Sequence, residues 1–218
     1  MYLIIKRWID YVIAFISLII LSPLFLILII AIKLESRGPI LFKQKRVGID
    51  ITYFNILKFR TMRIDAPKDT PTHLLENPQQ YITKVGRFLR KASLDELPQI
   101  INILCGEMSF IGPRPALWNQ YDLIAERDKY RANDVKPGLT GWAQINGRDE
   151  LSIQEKAKLD GEYVEKIGLW MDIECFFGTI VNVVRGAGVI EGGTGKIPKL
   201  IVGNTVIEEV TPEETITL

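Results

Sequence analysis

The sequence predicts an α+β, mainly helical protein: an N-terminal re-entrant membrane helix followed by a compact cytosolic domain with amphipathic interfacial helices. Three observations lead there. The 21-residue run from Val12 to Ile32 contains sixteen Val, Ile, Leu or Phe residues. Behind it, apolar residues recur mostly at helical spacing, with one clear strand-like stretch. The formal net charge of +1 over 218 residues conceals a division, with 13 Lys or Arg against 5 Asp or Glu in residues 33–91 and 12 against 20 in residues 92–218.

The apolar run comes first. At roughly 0.3 to 0.6 kcal/mol per aliphatic or Phe residue, it gains on the order of 5 to 10 kcal/mol in a bilayer. A straight helix of this length is about 31 Å long, close to the ~30 Å hydrocarbon core, so a single span fits by length. The flanks fit it less well. Lys6 and Arg7 precede the run and Lys33, Arg37, Lys43, Lys45 and Arg46 follow it, drawing both ends toward the cytoplasm. At the midpoint, Ser22-Pro23 removes one intrahelical bond and supplies a hydroxyl that can satisfy the freed carbonyl. A kinked, re-entrant helix accommodates both features. A cleaved signal peptide does not fit, because the apolar stretch is too long and no small-residue cleavage site follows it.

Residues 39–59 read as extended, with Thr52 to Leu57 as a strand, and residues 65–80 read as a Pro-bearing loop. A short basic helix is predicted over 83–91. Ser93 opens the next, with Leu97, Ile100, Ile101 and Leu104 on one face, and a further amphipathic helix runs from Ala116 to about Arg131. Residues 136–148 form a Gly-rich loop. Ser152 and Glu155 make a capping box for a helix to about Ile167. Trp170, Ile173, Phe177, Ile180, Val181 and Val184 form a stripe over 169–185, a core face by default and an interfacial one as the alternative. Lys199 to Ile207 suggests a hairpin before an acidic tail.

Several chemistries are excluded by count. Cys105 and Cys175 cannot form a disulfide framework or a four-thiolate zinc site, and His73 is the only histidine. Gly192 to Lys196 fails the spacing of a phosphate loop, and no Asp-x-Asp motif occurs. Carboxylates, lysines, arginines and oxygen-bound metal remain.

Ser93-Leu94-Asp95-Glu96-Leu97-Pro98-Gln99 carries the most chemistry. As a helix start, Ser93 caps and Glu96 completes the box. Pro98 then falls at the fifth helical position and distorts the turn, leaving Asp95 and Glu96 on an irregular corner after Arg87, Arg90 and Lys91. Such a corner can hold a divalent metal through carboxylate oxygens and supply a nucleophile, while the cations hold phosphate. Asp160 completes the inward stripe of Ile153, Ala157, Val164 and Ile167, so it must be paired or ligating. Its candidate partners are Lys58, Arg60 and Arg114, the last in the stiff turn Gly112-Pro113-Arg114-Pro115. Arg148 ends the loop that starts at Gly141-Trp142.

These segments together resemble the monotopic bacterial phosphoglycosyl transferases: the apolar N-terminus with Ser22-Pro23, Lys58-Phe59-Arg60-Thr61-Met62, the Ser93 to Gln99 motif, Gly112 to Pro115, and Pro137 to Trp142. The resemblance covers residues ~2 to ~190 in order. It implies a re-entrant membrane helix over 1–37, a cytosolic catalytic domain over 38–190, and a C-terminal extension over 191–218 beyond the short form of the family. It implies transfer of a sugar-1-phosphate from a UDP-sugar to undecaprenyl phosphate with release of UMP. Asp95 would be the nucleophile, and Glu96 would help hold Mg2+ or deprotonate the acceptor. Lys58, Arg60, Arg90, Arg114, Arg148 and Asp160 would bind substrate. The setting would be the cytoplasmic face of the bacterial inner membrane, at the first membrane step of capsule, O-antigen or exopolysaccharide synthesis. Downstream glycosyltransferases would be its partners, and nucleic acid would not. Arg114 to Tyr121 with Gly147 to Glu150 is similar to members acting on N-acetylated 6-deoxyhexoses. Transfer of sugar alone, releasing UDP, and a non-catalytic scaffold are the competing readings.

Overall fold

The computed structural model describes residues 1–66, 78–147, 150–185, 201–202 and 205–206. His73, Arg148 and the Gly192 to Lys196 segment lie outside them. Helix α1 (Tyr2–Glu35) leads into an antiparallel hairpin, β1 (Leu41–Val47) and β2 (Tyr53–Phe59). Helix α2 (Lys84–Lys91), a 3-10 turn (Leu94–Glu96), α3 (Gln99–Leu104) and β3 (Ser109–Ile111) follow. Next come α4 (Tyr121–Asp128), β4 (Gly138–Thr140), which pairs with β3 in parallel, α5 (Trp142–Ile145), α6 (Ile153–Glu165) and α7 (Leu169–Arg185). A hairpin of β5 (Ile201–Val202) and β6 (Thr205–Val206) lies where Lys199 to Ile207 predicts one. The chain is thus mainly helical, with three two-stranded sheets among the described residues.

Helix α1 is the spine of the domain. Its first half sets Ala14 against Phe54 and Ile56 of β2 and Ile100 and Ile103 of α3. Its second half sets Leu28 and Ile32 against Phe59 and Leu89, each side chain worth about 1.5 to 3 kcal/mol on full burial. The opposite face is bare. Mean hydropathy reaches 3.0 over an eighteen-residue window that is only 11% buried, and Trp8, Phe15, Ile20 and Ile27 all stand exposed. A continuous apolar surface of this extent is costly in water, and α1 is long and apolar enough to cross a membrane. The helical assignment runs through Pro23, and Ser22 Oγ donates to the Ile19 carbonyl at 2.8 Å. That carbonyl is the one proline deprives of its i+4 donor.

Polar contacts fix both ends of α1 to the same domain. Lys6 Nζ lies 2.6 Å from Asp172 Oδ2 of α7, which also accepts from Tyr2 at 2.6 Å, while Tyr163 of α6 donates to Asp172 Oδ1 at 2.8 Å. One turn on, Asp10 accepts from Ser109 Oγ at 2.7 Å. At the far end, Glu35 accepts from the Lys84 and Val85 amides at 2.6 and 2.9 Å, which caps the start of α2 together with Thr83.

Four expectations are corrected. Ser93 does not cap a helix: it sits in the left-handed region at φ 53°, and α3 starts at Gln99, because Pro98 has no N–H for the turn that an earlier start requires. The helix expected from Ala116 starts at Tyr121, since Ala116 and Leu117 are drawn against β1 by Val47 and Arg46. The Gly-rich loop over 136–148 contains β4 and α5, because Gly138 and Gly141 let the backbone lie directly on Gly112, where a Cβ would collide with its N and O. Finally, the stripe on α7 is not core. Trp170 and Phe177 are 82% and 60% exposed, while Met171, Asp172 and Cys175 face inward. The capping box of Ser152 and Glu155 forms with both bonds in place.

The Lys6–Asp172 pair gives a stability prediction. Lys6→Met leaves Asp172 buried without its countercharge and should cost about 3 kcal/mol, read from thermal unfolding in detergent. Lys6→Met combined with Asp172→Leu should recover most of it. A single variant as stable as the parent would remove this pair as the anchor.

Candidate active site

Three segments distant in sequence meet at one carboxylate. Glu96, on the 3-10 turn, accepts at Oε1 from Lys58 Nζ at 2.7 Å and from Arg114 Nη2 at 2.8 Å. Lys58 arrives from β2, on the strand face that also carries Phe54 and Ile56. Arg114 arrives from a turn held between prolines, below which Gly112 packs on Gly138 and Gly141. The 3-10 turn is positioned by Pro98, which is fully buried, and by the left-handed Ser93.

The two neighbouring carboxyls are tuned apart. Burial opposes ionisation of Glu96, but Arg114 and Lys58 outweigh it and hold the group well below the usual carboxylate range. Burial raises Asp95 above that range, with Lys58 opposing and the Glu96 charge reinforcing the rise. Arg90 is a further cation on Asp95, and its Nε donates to Thr61 Oγ1 at 2.9 Å. That contact depends on Gly86, where any side chain would strike the Thr61 carbonyl.

Arg46 is the cation the sequence reading counted only as a flanking charge. It shares the β1–β2 face with Lys58 and donates to the Pro115 carbonyl at 3.0 Å and to Gln44 Oε1 at 2.6 Å. Burial and the charge of Arg114 both disfavour its cationic form, yet a guanidinium stays charged in proteins. Four cations, Arg46, Lys58, Arg90 and Arg114, thus surround two carboxylates, a surplus suited to an anionic ligand.

Two expected site residues sit elsewhere. Arg60 donates at 2.7 Å to the carbonyl and 2.9 Å to the hydroxyl of Ser36, closing the exit of α1. Asp160 is 1% exposed and pairs with Arg127 through Oδ2 at 2.6 and 2.8 Å, not with Lys58, Arg60 or Arg114. Arg127 in turn donates to the Arg114 carbonyl at 2.8 Å. The signal for Arg127 was available: it shares the inward face of α4 with Leu123 and Ile124, as Asp160 shares that of α6 with Ala157. Two opposite charges at core positions of adjacent helices imply each other.

No group of three potential His, Cys, Asp or Glu ligands gathers among the described residues. Magnesium needs fewer, commonly one or two carboxylates with the rest from phosphate and water. Asp95 together with Glu96 Oε2, the oxygen opposite the two ion pairs, provides such a set.

The model of the family described as bacterial sugar transferase matches residues 1–186. The chain is 43% identical over 183 residues to the UDP-glucose:undecaprenyl-phosphate glucose-1-phosphate transferase of Escherichia coli (strain K12), covering 80% of this chain and 39% of that protein. It is 38% identical over 187 residues to the uncharacterized sugar transferase EpsL of Bacillus subtilis (strain 168), covering 86% of this chain and 91% of that one. The match to the UDP-N-acetylgalactosamine-undecaprenyl-phosphate N-acetylgalactosaminephosphotransferase of Aeromonas hydrophila is 37% over 193 residues, 86% of this chain and 45% of that protein. The chain therefore spans only part of several of these relatives.

Arg127→Leu leaves Asp160 buried and uncompensated and should destabilise the fold by about 3 to 5 kcal/mol in thermal unfolding. Adding Asp160→Leu should restore most of that stability. An unchanged unfolding midpoint in the single variant would end the assignment of Arg127 as the support of the Arg114 turn.

Proposed function

The chain belongs to the bacterial sugar transferase family, and from that premise we propose that it transfers a sugar-1-phosphate from a UDP-sugar to undecaprenyl phosphate, releasing UMP. The observation that carries this reading is the opposite tuning of two adjacent carboxyls beneath a surplus of cations. Environments that push a pair apart assign them different roles. Glu96 is locked as an anion by Lys58 and Arg114, whereas Asp95, made more basic by burial, is the better nucleophile once ionised.

In the first displacement an Asp95 carboxylate oxygen attacks the β-phosphorus of the UDP-sugar. The bond to the oxygen bridging the two phosphates breaks, and UMP leaves with that oxygen and its electron pair. An acyl phosphate now joins Asp95 to the sugar. In the second, a phosphate oxygen of undecaprenyl phosphate attacks the same phosphorus and the Asp95 carboxylate departs. Arg46, Lys58, Arg90 and Arg114 hold the diphosphate and offset the repulsion between it and the attacking anion. Asp95 and Glu96 would hold Mg2+, which when bound supplies further charge neutralisation at the phosphates. Arg148 remains a candidate substrate contact.

A re-entrant α1 fits this chemistry. As a straight rod its 34 residues would reach about 51 Å, well beyond the ~30 Å hydrocarbon core. Lys6 and Asp10 near one end and Glu35 and Ser36 at the other contact the same domain, which favours both ends on one side. The flanking Lys and Arg residues support the cytoplasm as that side. A lipid-anchored acceptor and a soluble donor would then meet at one surface. Arg60 and Asp160 serve this reading as supports, of the helix exit and of the Arg114 turn.

The test is nucleotide release by the full chain with Mg2+ and a panel of UDP-sugars that includes N-acetylated 6-deoxyhexoses. UMP is the expected product, and labelled phosphosugar should be trapped on the parent but not on Asp95→Asn. An active Asp95→Asn variant, or UDP as the product, would defeat the covalent reading. The pH profile offers a second check. The reactive form of Asp95 is ionised, so the rate falls as pH drops through its raised pKa. Lys58 opposes that rise, so Lys58→Met should move the acid limb of kcat/KM to higher pH. An acid limb that stays in place or moves down would exclude Asp95 as the titrating nucleophile.

A further inference from the structure

The first turns of α1 carry a second basic cluster that phosphosugar transfer does not use. Arg7 Nε donates to Tyr11 Oη at 3.0 Å, and its guanidinium carbon lies 5.5 Å from the Tyr11 ring centroid. Lys136, in the segment before β4, approaches the same place. Gly106 marks the meeting point. Its φ is +78°, and at the position a Cβ would take, Tyr11 Oη is 2.8 Å away, Lys136 Nζ 3.5 Å and Arg7 Nη2 3.7 Å. Three donors of two positive charges therefore converge over a site with no side chain of its own.

Countercharge is short there. Lys6 is committed to Asp172, and Asp10, the carboxylate near Lys136, accepts from Ser109 Oγ at 2.7 Å and the Phe110 amide at 3.3 Å. Among the described residues neither Arg7 nor Lys136 forms an ion pair. Burial and the Arg7 charge both push the Lys136 ammonium down, with Tyr11 and Asp10 opposing. An anion seated between the two cations would relieve this repulsion and accept from all three groups.

The location says where such an anion comes from. Arg7 is flanked by Ile4 and Trp8, both about two-thirds exposed on the membrane-facing side of α1, and Trp8 stacks edge-on against Tyr11 with ring centroids 6.3 Å apart. Trp and Tyr with basic neighbours at the end of an apolar helix mark headgroup level. The cluster is also separate from the candidate active site. The charges acting on Lys136 are those of Arg7, Tyr11 and Asp10, whereas those acting on Asp95 are Lys58, Glu96, Arg90 and Arg114.

We propose that Arg7, Tyr11 and Lys136 form a binding site for the phosphate of an anionic phospholipid headgroup, apart from the Asp95–Glu96 centre. The site holds the first turns of α1 at the bilayer surface through the lipid. It rests on the membrane embedding of α1 and not on the transfer reaction.

The experiment is thermal unfolding of the full chain in a neutral detergent with added phosphatidylglycerol, phosphatidylcholine or inorganic phosphate. Phosphatidylglycerol should raise the midpoint by roughly 5 °C over phosphatidylcholine when near saturation. The gain should vanish in Arg7→Gln/Lys136→Gln and persist in Lys158→Gln/Lys166→Gln, which removes two exposed charges elsewhere. Arg7→Lys, which keeps the charge, should retain part of it and guards against a variant that merely folds poorly. A gain that survives in Arg7→Gln/Lys136→Gln would overturn the site. A gain that inorganic phosphate reproduces at equal concentration would overturn the lipid as its source.

Discussion

The candidate active-site corner depends on a single carboxylate oxygen. Glu96 Oε1 receives both Lys58 and Arg114, and so joins a strand, a 3-10 turn and a proline-bound turn at one point. Withdrawing three charges from water costs several kcal/mol each, and such a cluster is retained only where geometry and hydrogen bonding are close to ideal. Glu96 is therefore an organiser before it is a ligand. By neutralising two cations it allows them to sit within reach of Asp95, and by absorbing their pull it leaves Asp95 the more basic of the pair.

The supports of that corner form a second layer. Arg127 bridges the buried Asp160 to the Arg114 carbonyl, so the turn is fixed from below by a guanidinium and from the side by glycine contacts at Gly112, Gly138 and Gly141. Arg46 fixes the Pro115 carbonyl from the hairpin. Each contact ends on backbone, not on the tip of a side chain, and so constrains where Arg114 begins while leaving its guanidinium to meet Glu96. Gly86 does the same for Arg90 by letting α2 touch Thr61.

Legibility followed the range of the interactions. The Ser152–Glu155 capping box is local and was readable as it stands, whereas Thr83, read as the first residue of its helix, is the cap before it. The box proposed at Ser93 was equally local in form but failed, because Pro98 blocks the helix and because Glu96 finds a better partner than an amide in Lys58 and Arg114. Asp160 was legible as a buried charge from its place on an apolar face. Its partner is Arg127, in the last turn of α4, and not Lys58, Arg60 or Arg114; only the inward face that Arg127 shares with Leu123 and Ile124 pointed to it. The pairing of β3 with β4 spans only three residues per strand and rests on glycine approach, a signal that periodicity does not carry.

The outward stripe of α7 was misread for a different reason: periodicity shows that a face is apolar but not what covers it. The Lys6–Asp172 contact supplies the missing term. Asp172 lies on the inward side of α7 and binds Tyr2 and Lys6 of α1, while Leu169 and Trp170 beside it and Leu3 and Ile4 beside Lys6 turn outward. One buried ion pair thus holds two exposed apolar faces next to each other. Periodicity reads the stripe of α7 as core, whereas Trp170 and Phe177 stand at the surface. Helix α1 itself packs directly on β2 and α3, the two elements that flank the carboxylates.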